Sequence, residues 1–131
     1  MTGLARAIVP RGVSTLVADP YEIANVLGLP GVELLLDEAL GVPLDVMLRV
    51  PGRVPALPAH LETSGDEMDL ATTIELLDRH DAVCLGGDIN PTIILRADHD
   101  QMRKIEATIE REKTAGGQLP DFIGSVLDAS V

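Results

Sequence analysis

Along the chain the apolar positions change period several times, and each change marks an element. Residues 13–18 form a short apolar run with several β-branched side chains, Val13, Thr15 and Val17 among them, and read as a buried strand. The run stops at Asp19-Pro20, and a helical pattern begins at once. Asp19 suits the N-cap, Pro20 the first helical position and Glu22 the third, where its carboxylate reaches back to the cap N–H. Gly28 and Pro30 punctuate this helix, and a second helical pattern passes through Val32, Leu35, Leu36 and Ala39 to Gly41. Residues 44–50 are the next strand.

A proline-bearing stretch, 51–65, follows; Pro55 and Pro58 forbid a regular element there, and loops of this length are often functional. Ser64 and Glu67 have the spacing of a capping box ahead of a helix carrying Met68, Leu70, Ala71, Ile74 and Leu77. Arg79 and His80 favour the negative end of that helix. Residues 82–85 are a third strand, running into Gly86-Gly87. Residues 92–97 allow a short extended segment. Asp100 then caps a helix through Met102, Ile105 and Ile109 that Gly116-Gly117 stop, and 121–129 is a last short helix. Near the start, residues 3–9 form a short helix with Leu4, Ala5 and Ile8 on one face, ended by Pro10 and Gly12.

Three strands alternating with helices predict an α/β fold with a parallel sheet. There is no internal repeat and no linker, so 131 residues make one domain. The chain is 46% hydrophobic, which favours a packed core, but Tyr21 and Phe122 are its only aromatics. The core is therefore aliphatic. A net charge of −11 and the lack of aromatics exclude a nucleic-acid surface, which needs cationic clusters and stacking platforms. Cys84 stands alone, so no disulfide framework or cysteine metal cluster is expected; in its apolar strand it reads as a buried small residue. No segment approaches the roughly 20 apolar residues of a membrane helix, and no signal peptide is evident. The cytoplasm is the expected compartment.

Three ordered blocks carry a family resemblance. VADPYEIANVLG at 17–28, PLDVMLRVPGRVPALPAHLETSG at 43–65 and AVCLGGDIN at 82–90 resemble the adenine deaminase family of the amidohydrolase superfamily. In that family the first block usually reads VADPHEIANVLG. The resemblance implies a metal-dependent hydrolase built on a (β/α)₈ barrel, whose divalent metal (manganese or iron) activates a water toward adenine, giving hypoxanthine and ammonia. A complete barrel takes about 250 residues. This chain therefore corresponds to an inner piece, a partial barrel segment with about three parallel strands.

The same resemblance shows where the chemistry is incomplete. The family's His-x-His pair falls before the point at which the sequence starts, and its later ligands fall after the end. Its glutamate block aligns with VCLGGDIN, which puts Gly87 at the glutamate position and Asp88 one place along, on the other face of a strand. The motif histidine is Tyr21, whose phenol is a poor ligand. Gly52 and Arg53 replace a Ser-Cys pair. His60, His80 and His99 have no chelating spacing, and His60 is of interest because its loop overhangs the mouth of a barrel. No metal is expected on this chain alone. Candidate motif and pocket-rim residues are Asp19, Tyr21, Glu22, Asn25, His60, Asp88 and Asn90, with a purine as the implied ligand. Asp19 and Glu22 are also explained as a helix cap.

Three readings follow: a segment of an adenine deaminase-like hydrolase that is inactive alone, a module that binds a purine or a protein without catalysis, or a piece of a longer reading frame. In each, a three-stranded piece leaves two open sheet edges. Leu16, Val46, Leu48 and Val83 are the side chains expected on the face that a barrel turns inward. Self-association or a complementing chain is the expected remedy.

Overall fold

The computed structural model describes residues 1–57, 60–87, 98–117 and 124–125. Helix α1, Thr2–Ile8, runs into one 3₁₀ turn, Val9–Arg11, which ends at Gly12. Strand β1 is Thr15–Ala18, helix α2 Tyr21–Ala39, strand β2 Asp45–Pro51, helix α3 Leu70–Leu77, strand β3 Ala82–Gly86, helix α4 His99–Glu110 and strand β4 Thr114–Ala115. The four strands lie in the order β1-β2-β3-β4, every neighbouring pair parallel. This is the expected α/β segment, with one more strand than sequence reading gave. The helix that was to run to Gly116 stops at Glu110, and the backbone straightens into β4 beside Cys84 and Leu85.

Strand order explains the layering. Each crossover in a parallel sheet is right-handed, so when the order never reverses, every connecting helix lands on the same face. Leu48, Val50, Ala82 and Leu85 point to that face and are buried with Ala24, Val32 and Leu36 of α2, Leu76 and Leu77 of α3, and Met68. Among the described residues the opposite face carries no helix. Thr15 and Asp45 pair there, then Val17 and Met47, then Arg49 and Cys84. A register shift between Leu48 and Arg49 leaves Val83 unmatched, and it too is exposed.

The expectation for the inward face is thus corrected. Val46 and Leu48 pack with the helices, Leu48 completely buried, and Leu16 shares their face through its pairing with Val46; of the four named, only Val83 lies on the open side. The strand begins at Thr15, and period-2 alternation sends every second side chain the same way, so a face assigned one residue out is wholly reversed. In α1 only Ala5 is buried, while Leu4 is exposed.

Helix starts also differ from the sequence reading. At α2 the N-cap is Pro20, with no side-chain cap bond, and Glu22 is exposed, so the Asp19/Glu22 box does not form. Pro20 has no N–H and a backbone outside the extended region, which takes Asp19 one residue too far from the helix. At α3 the cap is Asp69, whose carboxylate accepts from the Thr72 N–H at 2.8 Å, in place of Ser64. At α4 it is Asp98, accepting from Gln101, while Asp100 sits in the first turn and pairs with Lys104. Arg79 does not dock on its helix end but grips Asp81 through two bonds of 2.9 Å. The extended segment expected at 92–97 and nearly all of the helix expected at 121–129 lie outside the described residues.

The long helical run of α2 breaks where Gly28 and Pro30 predicted. Gly28 has φ +60°, and a Cβ there would run into the Asp66 carboxylate. This bend lets the loop after β2 lie against the helix, where the Gly65 N–H donates to the Asn25 carbonyl at 2.8 Å.

Candidate functional site

In parallel α/β folds the groups that act on ligands gather where strands end and helices begin. Here that rim is formed by Asp19 after β1, Gly52 and Arg53 after β2, Gly87 after β3, and the described parts of the β2–α3 loop, 52–57 and 60–69.

The loop is held by one carboxylate. Tyr21 and Asn25 are four residues apart on the first turns of α2 and therefore share a helix face. Asn25 Nδ2 donates to Glu62 Oε1 at 2.8 Å, and Tyr21 Oη donates to the same oxygen at 3.3 Å. The other oxygen, Oε2, accepts from the Leu57 N–H at 2.9 Å. The Ala56 N–H in turn donates to Tyr21 Oη at 3.0 Å. The backbone of Ala56 and Leu57 is thereby tied to Tyr21 and Glu62, and Glu62 to the first turns of α2. Tyr21 and Asn25, expected at a pocket rim, are brought together there, but their polar atoms are spent largely on the loop. Asn25 Oδ1 is buried and finds no hydrogen-bond partner among the described residues.

From below, α4 fixes the same loop. Gln101 Nε2 donates to the Gly52 carbonyl at 3.0 Å, and Lys104 Nζ donates to the Met68 carbonyl at 2.5 Å while pairing with Asp100 at 2.7 Å. The Lys104 side chain is almost fully enclosed, which is affordable only because its ammonium meets both a carbonyl and a carboxylate. Met68 N–H closes the tie by donating to the Val54 carbonyl at 3.0 Å.

Asp19 faces Arg49 across β1 and β2, its Oδ2 standing 3.6 Å from the Arg49 Nε. Cys84, paired with Arg49 in the sheet register, is half-buried. Burial pushes its thiol above the ordinary 9.0; the Arg49 charge opposes that shift and Asp19 adds to it. A raised thiol remains neutral at physiological pH and is a weak nucleophile.

Other expected residues do not join this rim as ligands. Glu22 is exposed on α2, and His60 is exposed in the loop. Asp88 and Asn90 lie outside the described residues. Gly87, aligned with the family's glutamate, has φ +101° and carries no side chain; a Cβ there would stand 3.5 Å from the backbone nitrogens of Gly52 and Arg53. Among the described residues no three His, Cys, Asp or Glu side chains converge on a point able to hold a metal ion. The donor set that the described residues place on the rim, a phenol, an amide, a guanidinium and two carboxylates already engaged, does not fit a divalent-metal hydrolase centre.

Two residues were missed in sequence reading. Glu62 was visible only as part of the ETSG block, since nothing in its spacing announces a triple acceptor. Arg49 had a usable signal: it is a lone charge within the apolar strand 44–50.

No family model matches the chain. It is similar to curated proteins over nearly its whole length. The adenine deaminase of Kosmotoga olearia is 39% identical over 97% of this chain, and that of Methanothrix thermoacetophila 41% over 95%. The adenine deaminase of Thermosipho africanus is 36% identical over 99%. This chain spans only 22–23% of the length of these relatives.

Proposed function

We propose that this chain, which is a partial segment of the adenine deaminase family, supplies one wall of a purine site on a hydrolase barrel and does not by itself deaminate adenine. The observation that carries the reading is a tied rim together with the lack, among the described residues, of any group of side chains able to hold a metal ion. Tyr21, Asn25 and Glu62 hold the long loop over the strand ends, while Gly87 leaves the glutamate position without a side chain. The family reaction, hydrolysis of adenine to hypoxanthine and ammonia, needs its metal ligands together. Removing ligands or their supports typically lowers affinity or activity by about 10–100-fold each, and here several positions are changed at once. The purified 131-residue chain, free of host deaminase, is expected to release no ammonia from adenine with or without Mn²⁺ or Fe²⁺. Metal-dependent turnover above a buffer control would overturn this.

The open sheet face favours a second reading, in which the chain binds a purine or a protein without catalysis. Val17, Met47 and Val83 are exposed side by side on a sheet whose strand β1 has, among the described residues, only one neighbour. Such a face and edge recruit a covering chain, either a second copy or a polypeptide supplying further strands. Sedimentation and hydrophobic-dye binding test this: self-association or strong dye uptake is expected, whereas a dye-silent monomer with a sharp melt would refute it. A cytoplasmic setting accompanies both readings and is supported by the single cysteine. Among the described residues no helix is long and apolar enough to cross a membrane.

A further inference from the structure

On the sheet face that no helix among the described residues covers, one charged side chain makes no hydrogen bond to them. Arg49 falls between Leu48 and Val50, both fully buried on the helix side, so its own side chain leaves on the open side. Its stem lies flat over the neighbouring strand: a Cβ at Gly86 would run into Cγ, Cδ and Nε of Arg49. The guanidinium continues toward Gly116, where an Nη atom is 4.0 Å from the place a Cβ would take. Asp19 Oδ2 at 3.6 Å from Nε is close enough to pair but too far to accept a hydrogen bond. The Arg49 side chain is 29% exposed, and among the described residues none of its N–H groups makes a hydrogen bond. A planar fork is therefore held in place by packing and by charge, with hydrogen-bonding capacity that the described residues do not use.

The surroundings choose the ligand chemistry. An anion would be drawn to the guanidinium but repelled by Asp19 and by a chain of net charge −11. A neutral planar ligand with two adjacent acceptors meets the fork without that repulsion. Among purines the 6-oxo compounds present this edge, since ring N7 and exocyclic O6 both accept, whereas adenine offers N7 beside an amino group that donates. Hydrolytic deamination exchanges that amino group for oxygen, so the edge preferred is that of the product. We propose that the Arg49 fork, braced by Asp19 and seated on Gly86, binds the N7/O6 edge of a 6-oxopurine, so that this chain favours hypoxanthine or guanine over adenine. The proposal rests on the purine-site reading given above.

Calorimetric titration of the full chain with hypoxanthine, adenine and inorganic phosphate tests it. Hypoxanthine is expected to bind at least about tenfold more tightly than adenine, the discrimination of one good bidentate contact, and phosphate is expected not to compete. Arg49→Lys keeps the charge without the fork, and Arg49→Met keeps the stem over Gly86 without either; both are expected to lose the preference while retaining weak purine binding. Equal binding of the two purines by the wild type, or a preference that survives in a folded variant, overturns the proposal and leaves the purine-site reading standing. Tighter binding of phosphate overturns it in favour of an anion site. No purine binding at all by the wild type overturns the purine-site reading and the proposal with it. The wild-type ratio decides even where neither variant folds.

Discussion

The two faces of the sheet are made from alternate residues of the same strands, yet they meet different surroundings. On β2, Leu48 is 0% exposed beneath the helices and Met47, its neighbour, 37% exposed on the other side; on β1, Val17 is 52% exposed. Both faces carry large apolar side chains. What differs is supply: right-handed crossovers deliver α2, α3 and α4 to one side only, and nothing in the described chain delivers a layer to the other. The covered face is where the stability of the chain resides. The open face carries Arg49, Asp19 and Cys84 among aliphatic side chains that the described residues leave without such a layer.

The sharpest way to break that contrast is a pair of matched truncations on β2. Leu48→Ala removes a fully enclosed side chain from the centre of the core and is expected to cost about 2–5 kcal/mol, with a proportionate fall in the urea midpoint. Met47→Ala, one residue away, is expected to cost less than about 1 kcal/mol, because its side chain leaves little buried contact behind. Equal midpoints for the two variants would mean that the open face is covered in solution and that the asymmetry between faces is wrong.

How far the sequence foretold this arrangement depended on which physical signal was strong. Strand and helix types were legible because their periods differ, and the Gly28-Pro30 interruption was legible because few backbones tolerate that pair within a helix. Which strand face lies inward was not legible, since Leu16, Val46, Val17 and Met47 are apolar alike and only tertiary packing distinguishes them. The short strand β4 was hidden because a two-residue strand, Thr114–Ala115, has no period to read. At the rim, the family motif located Tyr21 and Asn25, but it did not reveal that Glu62 takes bonds from both. That contact joins residues 37 and 41 positions apart, and no local spacing encodes it.

A smaller effect separates two helix starts that look alike in sequence. Asp69 accepts from the Thr72 N–H, so Asp69→Ala is expected to lower the urea midpoint measurably. Glu22 has no such bond and is exposed, so Glu22→Ala is expected to remain within about 0.5 kcal/mol of wild type. The Asp69 effect should also depend on pH. The Thr72 backbone bond holds its carboxyl below the ordinary 3.8, so the contribution is present above that pH and fades as pH falls through the folded value. Chemical melts of the two variants check both points; a loss in Glu22→Ala equal to that in Asp69→Ala would restore the capping box at α2.

The mildest test lies on the open face itself and reads the charges around Cys84 without disturbing the fold. Burial is the largest influence on this thiol and raises it above 9.0, with Arg49 pulling down and Asp19 pushing up. A raised folded value means that the neutral thiol's contribution to stability is complete below the unfolded value and is lost as pH rises through the folded one. Alkylation by iodoacetamide separates access from ionisation, because the plateau rate at high pH reports access while the pH midpoint reports the thiol. The midpoint in the folded chain is expected above that of the urea-unfolded chain. Arg49→Met removes the lowering charge and should move the midpoint further up; Asp19→Asn removes the raising charge and should bring it down. Both variants keep the helix-covered core untouched, so their urea midpoints should hardly move while the thiol midpoints diverge. Identical thiol midpoints in all three chains would mean that Arg49, Asp19 and Cys84 do not share one electrostatic neighbourhood, and the open face would then be a set of separate surface residues with no built site upon it.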